Sequence, residues 1–104
     1  MKNLSQKEWS ENLSEQDIVI LDVRTPGECA EGIIEGALMI NIMEPQTFMK
    51  EVNELDKNKS YYVYCRSGGR SEQACQYMSS QGFNEANNLI GGMLEWSGKT
   101  ILPN

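Results

Sequence analysis

The chain has 104 residues, 39% of them hydrophobic and 23% charged. That is enough for one domain, residues 1–104, with its own core and no need of metal or disulfide staples. Fifteen acidic against nine basic residues leave a net charge of −6, which argues against nucleic acid or an anionic membrane surface as the main partner, because both ask for a basic face.

Ser5-Gln6-Lys7-Glu8 has the spacing of a capping box opening a first helix, with Trp9 and Leu13 on its apolar side. Ile18 to Val23 is a β-branched run suited to a strand buried on both faces, as in a parallel sheet. Thr25-Pro26-Gly27-Glu28 repeats the capping spacing with proline at the first helical position; this short helix is expected to reach about Glu31 and stop at Gly32. Ala37 to Ile42 is expected as a second strand. Pro45 opens a third helix bearing Phe48, Val52 and Leu55, and a polar turn over 56–60 leads into a third strand, Tyr61 to Tyr64. A helix is predicted over Ser71 to Gln81, ended by Gly82, and Asn87 to Ile90 is the last strand. Gly91-Gly92 then turns the chain into a short helix with Met93, Leu94 and Trp96. Strands and helices alternate with short connections, which predicts an α/β domain around a mainly parallel sheet.

No stretch approaches the ~20 apolar residues of a membrane helix, and the first residues hold no apolar core of a secretory signal. A cytoplasmic location is expected, with no membrane partner. An odd number of cysteines, at 29, 65 and 75, without a C-x-x-C pair fits free thiols there. Histidine is absent, so no metal site is expected.

In such sheets ligands bind beyond the carboxyl ends of the strands, and the third strand runs straight into Cys65-Arg66-Ser67-Gly68-Gly69-Arg70-Ser71. Adjacent glycines let successive amides point inward as a nest, and the following helix adds its free N–H groups and positive dipole end. Only three arginines exist, and Arg66 and Arg70 flank this glycine pair; they are expected to bind a small anion. All of this favours a Cys65 thiolate without a histidine base, and equally a terminal persulfide anion. The bland alternative is a surface loop with a buried cysteine.

The chain resembles a single-domain rhodanese. Leu21 to Glu28 is similar to the family's early Asp-Val-Arg segment, and Glu31 to Ala37 to its second signature. Val63 to Ser71 is similar to its active-site loop, and Leu89 to Trp96 to its closing turn. The resemblance implies a five-stranded, mainly parallel sheet with helices on both faces, and no cofactor. It implies sulfur transfer through Cys65, with Arg66, Ser67, Gly68, Gly69, Arg70 and Ser71 binding the substrate. The donor would be a small anion such as thiosulfate or a protein, and the acceptor cyanide in vitro or a thiol. Related phosphatase and arsenate-reductase domains place arginine six positions after the cysteine; here Arg70 lies five after Cys65. The family usually has histidine where Ile33 stands and an aromatic where Cys29 stands; the first bears on a hydrogen bond that steadies the turn after the second helix, neither touches the loop, and fold and active site are expected to survive both.

Asp22 and Arg24 are expected either to brace the loop or to form a local salt bridge capping the second helix, two readings that are compatible. Cys75 reads as packing. Cys29 is core filler or a thiol able to resolve Cys65. Trp96 is expected to pack near the site, and the methionines at 39, 43, 49, 78 and 93 to lie in core or rim. A sulfurtransferase and its alternative, a persulfide carrier or thiol-redox partner module with little small-donor turnover, share the same loop, and a monomer is expected; a catalytically dead interaction domain would have lost Cys65.

Overall fold

The structure, a computed structural model, describes residues 1–103. Its strands are β1 (Lys2–Leu4), β2 (Ile18–Asp22), β3 (Ile33–Ile34), β4 (Leu38–Met39), β5 (Ser60–Tyr64), β6 (Glu85–Leu89) and β7 (Thr100–Ile101). The helices are α1 (Gln6–Glu11), α2 (Pro26–Cys29), α3 (Pro45–Asn53), α4 (Gly69–Ser80) and α5 (Gly92–Glu95). Five strands form one parallel sheet in the order β1-β6-β5-β2-β4, and β3 pairs antiparallel with β7 beside it.

The apolar runs of β2 and β5 are unbroken because both sheet faces are covered. Leu21, Val23, Tyr61, Val63 and Cys65 join Phe48 and Val52 of α3 and Ala74, Cys75 and Met78 of α4 in one core cluster. Ile20, Tyr62, Tyr64 and Leu89 face the other way and pack on Trp9 of α1, with Met93 and Trp96 from the α5 region. An isolated helix of six residues does not hold in water. Helix α1 is held by its capping box and by Trp9, which is fully buried, lies edge-on to Tyr62, Tyr64 and Trp96, and donates its indole N–H to the Asn87 carbonyl at 3.2 Å. Truncating a buried tryptophan to alanine costs about 3–5 kcal/mol, enough to undock so short a helix.

Several boundaries differ from expectation. Strand β1 went unanticipated; two of its three residues are polar, and it exists through its register with β6, Asn3 opposite Asn88. The strand expected over Ala37 to Ile42 keeps only two ladder residues, although Ile40 and Ile42 still donate their N–H groups to the carbonyls of Asp22 and Val23. Helix α2 ends at Cys29 rather than Glu31. The turn after α2 is held by two buried bonds: Arg24 Nη2 donates to the Gly32 carbonyl at 2.7 Å, and the Tyr64 hydroxyl accepts from Ile34 N–H at 3.0 Å. Among the described residues no helix is long and apolar enough to cross a membrane.

Candidate active site

Strand β5 delivers Cys65 to the carboxyl edge of the sheet, 1% exposed. Gly68 sits at φ +109°, the left-handed side that L side chains rarely adopt. Its N–H thereby turns onto the Cys65 sulfur, N to Sγ 3.1 Å, while its carbonyl turns away to Asn88 Nδ2 at 3.1 Å and Glu72 N at 3.1 Å. From α4, Ser71 brings its hydroxyl to 3.3 Å from the same sulfur. Burial alone would push the Cys65 thiol up. The Ser71 hydroxyl and the N–H groups of Ser71, Gly68 and Ser67 outweigh it and hold the thiol below its ordinary value.

The loop is also held from behind. Met93 N–H and Leu94 N–H of α5 donate to the carbonyls of Cys65 and Arg66, each at 3.0 Å. That approach requires Gly92: at φ +54°, a Cβ there would lie 2.5 Å from both carbonyl oxygens. With these carbonyls fixed outward, the amides that follow point in.

The two loop arginines have different surroundings. Arg70 makes a two-pronged bond to Glu28, Nη1 to Oε1 2.7 Å and Nη2 to Oε2 2.8 Å, tying α4 to α2. The carboxylate that caps α2 through Thr25 therefore also neutralises Arg70, and the Arg70 bonds hold its pKa down at about 2. Arg70 still feels the Cys65 charge through space, but the donors on the sulfur are amides and a hydroxyl. Arg66 is exposed and forms no ion pair among the described residues; with Arg24, Glu28, Glu31, Met93 and Leu94 it lines a cleft of about 300 Å³.

Asp22 and Arg24 follow the local reading. Arg24 Nη2 bonds Asp22 Oδ2 at 2.7 Å, its guanidinium lies over the Tyr64 ring, and its second bond holds the turn after α2. Burial works against its charge and the Asp22 carboxylate outweighs it. Cys29 is buried, and burial first, then Asp22, push its thiol up to about 11; burial pushes Cys75 to about 12. Both are neutral thiols at pH 7, so Cys29 is not a ready resolving nucleophile. Met78 is core and Met39, Met43 and Met49 are exposed rim. Trp96 packs on Trp9, on the face of the sheet away from Ser71 and α4.

Two site residues escaped the sequence reading. Glu28 was visible only as a helix cap. Asn88 read as strand, although an asparagine in a buried strand is itself a signal that a polar partner waits inside. Its Nδ2 donates to the Gly68 carbonyl and, at 2.9 Å, to Asn3 Oδ1 of β1; its Oδ1 accepts from the Ser71 hydroxyl.

The pattern of the rhodanese-like domain family matches residues 5–99. A sulfurtransferase of Allochromatium vinosum is 38% identical over 93 residues, covering 85% of this chain and 84% of that protein. A putative sulfur carrier protein of Bacillus subtilis, YrkF, is 40% identical over 87 residues, which is 84% of this chain and 45% of that longer protein. Among solved structures, a rhodanese-like domain protein of Staphylococcus aureus superposes over 100% of both chains with a TM-score of 0.84 at 30% identity.

Proposed function

Because the chain belongs to the rhodanese-like domain family, we propose that it is a sulfurtransferase that holds sulfane sulfur as a persulfide on Cys65. The observation that supports this best is the sulfur cradle itself: Gly68 N–H at 3.1 Å and the Ser71 hydroxyl at 3.3 Å on a buried Sγ whose ionisation they favour. The Cys65 thiolate attacks the outer sulfur of a donor such as thiosulfate. A bond forms between the two sulfurs, the donor's own S–S bond breaks, and sulfite leaves with the electron pair. An acceptor then attacks the outer sulfur of the persulfide, and the Cys65 thiolate departs as the leaving group. The acceptor is cyanide in vitro, giving thiocyanate, and a protein or small thiol in the cell.

Arg66 supplies the cation for an anionic donor, and its position on the cleft beside Met93 and Leu94 fits an anion with an apolar flank. A second reading, a persulfide carrier that takes sulfur from a protein donor and turns small donors over poorly, is favoured by Glu28, which among the described residues leaves one loop arginine unpaired rather than two. The name of the carrier relative points the same way.

The test is thiocyanate formation from thiosulfate and cyanide by the wild type and by Cys65→Ser. Turnover confined to the wild type supports the enzyme; equal rates in both overturn it. Sulfur loading of Cys65 without turnover selects the carrier.

A further inference from the structure

The Ser71 hydroxyl has one proton and three acceptors around it. They are Cys65 Sγ at 3.3 Å, the Gly68 carbonyl at 3.2 Å, and Asn88 Oδ1. Ser71 and Asn88 are 0% and 3% exposed, so solvent is not a ready substitute for any of these bonds. The orientation of the Asn88 amide is fixed. Its Nδ2 faces the oxygens of Gly68 and Asn3, at 3.1 and 2.9 Å, and rotating the amide would set oxygen against oxygen. Oδ1 is therefore an obligate acceptor whose donor is Ser71.

The two protonation states of Cys65 make opposite demands on that proton. A neutral thiol can donate its S–H to Ser71 Oγ, which leaves the Ser71 O–H on Asn88 Oδ1 and satisfies every group. Once the thiol has lost its proton to solvent, Sγ is acceptor only, and Ser71 must choose between it and Asn88. Serving the sulfur strands a buried amide oxygen, which is unfavourable. In the persulfide the negative charge sits on the outer sulfur, the divalent inner sulfur is a weak acceptor, and the Ser71 proton can return to Asn88. We infer that Asn88 is a positioning residue that competes with Cys65 for the single proton of Ser71, so restraining charge on Sγ and favouring its transfer to the outer sulfur. Through Nδ2 the same side chain also bonds the Gly68 carbonyl, but the Glu72 N–H holds that carbonyl at the same distance, so the Gly68 N–H stays on the cysteine without Asn88.

The other charged and titratable groups around the cysteine touch neither Ser71 Oγ nor Asn88 through a hydrogen bond. Arg70 of α4 is paired with Glu28 of α2, Arg24 with Asp22 at the end of β2, Cys75 is packed in α4, Arg66 faces the cleft, and Glu72 of α4 lines the open cavity beside Gly68 and Asn88. The Ser71–Asn88 pair is thus a separable influence on the sulfur.

This inference rests on Cys65 as the nucleophile, but its test reads ionisation and needs no sulfur transfer, so it can fail while the proposed function stands, or the reverse. The pH dependence of Cys65 alkylation by iodoacetamide, followed on the Cys65 peptide by mass spectrometry, gives the thiolate population in each protein. Asn88→Ala and Asn88→Leu, the latter filling the space without an acceptor, are compared in the native and Ser71→Ala backgrounds. One neutral hydrogen bond corresponds to about a fivefold change in an equilibrium. Removing Asn88 Oδ1 is therefore expected to raise the thiolate population about fivefold below the titration midpoint, and to change nothing once Ser71 is alanine. A merely structural Asn88 predicts the opposite sign: the loop loosens, Gly68 N–H drifts from the sulfur, and the thiolate population falls in both backgrounds. That result, no change in the native background, or a rise that persists without Ser71 overturns the inference. Two replacements of different size keep the test decisive if one of them unfolds.

Discussion

Replacing Glu28 with glutamine isolates the ion pair between α2 and α4. A glutamine at this position still completes the capping box with Thr25, so what is lost is the charge facing Arg70. The Arg70 bonds, aided by Thr25 and opposed by burial, hold Glu28 at about 2 against an ordinary 4.5. The fall, taken whole, would correspond to ~3 kcal/mol; because the two side chains are 26% and 27% exposed, solvent reduces this to about 2 kcal/mol. A carboxylate with a lowered folded-state pKa stabilises above its unfolded value and stops doing so as pH falls through the folded one. Urea unfolding of both proteins is therefore expected to show the wild type more stable by about 2 kcal/mol at pH 7 and pH 5. The gap should close progressively as pH falls from 4.5 toward 2. Equal stability at pH 7, or a gap at pH 3 as wide as at pH 7, would refute the coupling of Glu28 to Arg70.

Gly92→Ala places a methyl 2.5 Å from the carbonyl oxygens of Cys65 and Arg66 and forces alanine to φ +54°. The expected loss is about 2 kcal/mol or more, seen as a thermal midpoint lower by roughly 8 °C or more together with slower sulfur transfer; an unchanged midpoint contradicts the contact. Limited alkylation at pH 7.5 should label Cys65 first and Cys29 and Cys75 far more slowly, because burial pushes those two thiols up to about 11 and 12 while the cradle holds Cys65 below its ordinary value. Labelling of Cys29 at a rate near that of Cys65 in the folded protein would refute that assignment.

Much of this was legible in the residues because local and global signals agree. The apolar runs at 18–23 and 61–64 and both capping boxes at Ser5 and Thr25 are present in the structure, and Gly68 takes the positive φ that the glycine pair suggested. What escaped depends on contacts between distant segments. Strand β1 is three residues whose pairing with β6 supplies what their composition does not. Glu28 and Arg70 are 42 positions apart and meet only because α2 and α4 open on the same edge of the sheet. For the same reason the sequence could show that two arginines share the loop but not that one of them is already paired. The bonds of Asn88 to Gly68, Ser71 and Asn3 depend equally on strand order, which periodicity does not reveal.

Cys65 is expected to accept sulfane sulfur. The reduced protein would be incubated with thiosulfate and, separately, with a low-molecular-weight persulfide, its intact mass measured, and the added sulfur mapped to a peptide. One sulfur atom on Cys65, removable by cyanide and absent from Cys29 and Cys75, is the predicted result. A folded protein in which neither donor modifies Cys65, or in which the sulfur resides on another cysteine, would contradict it.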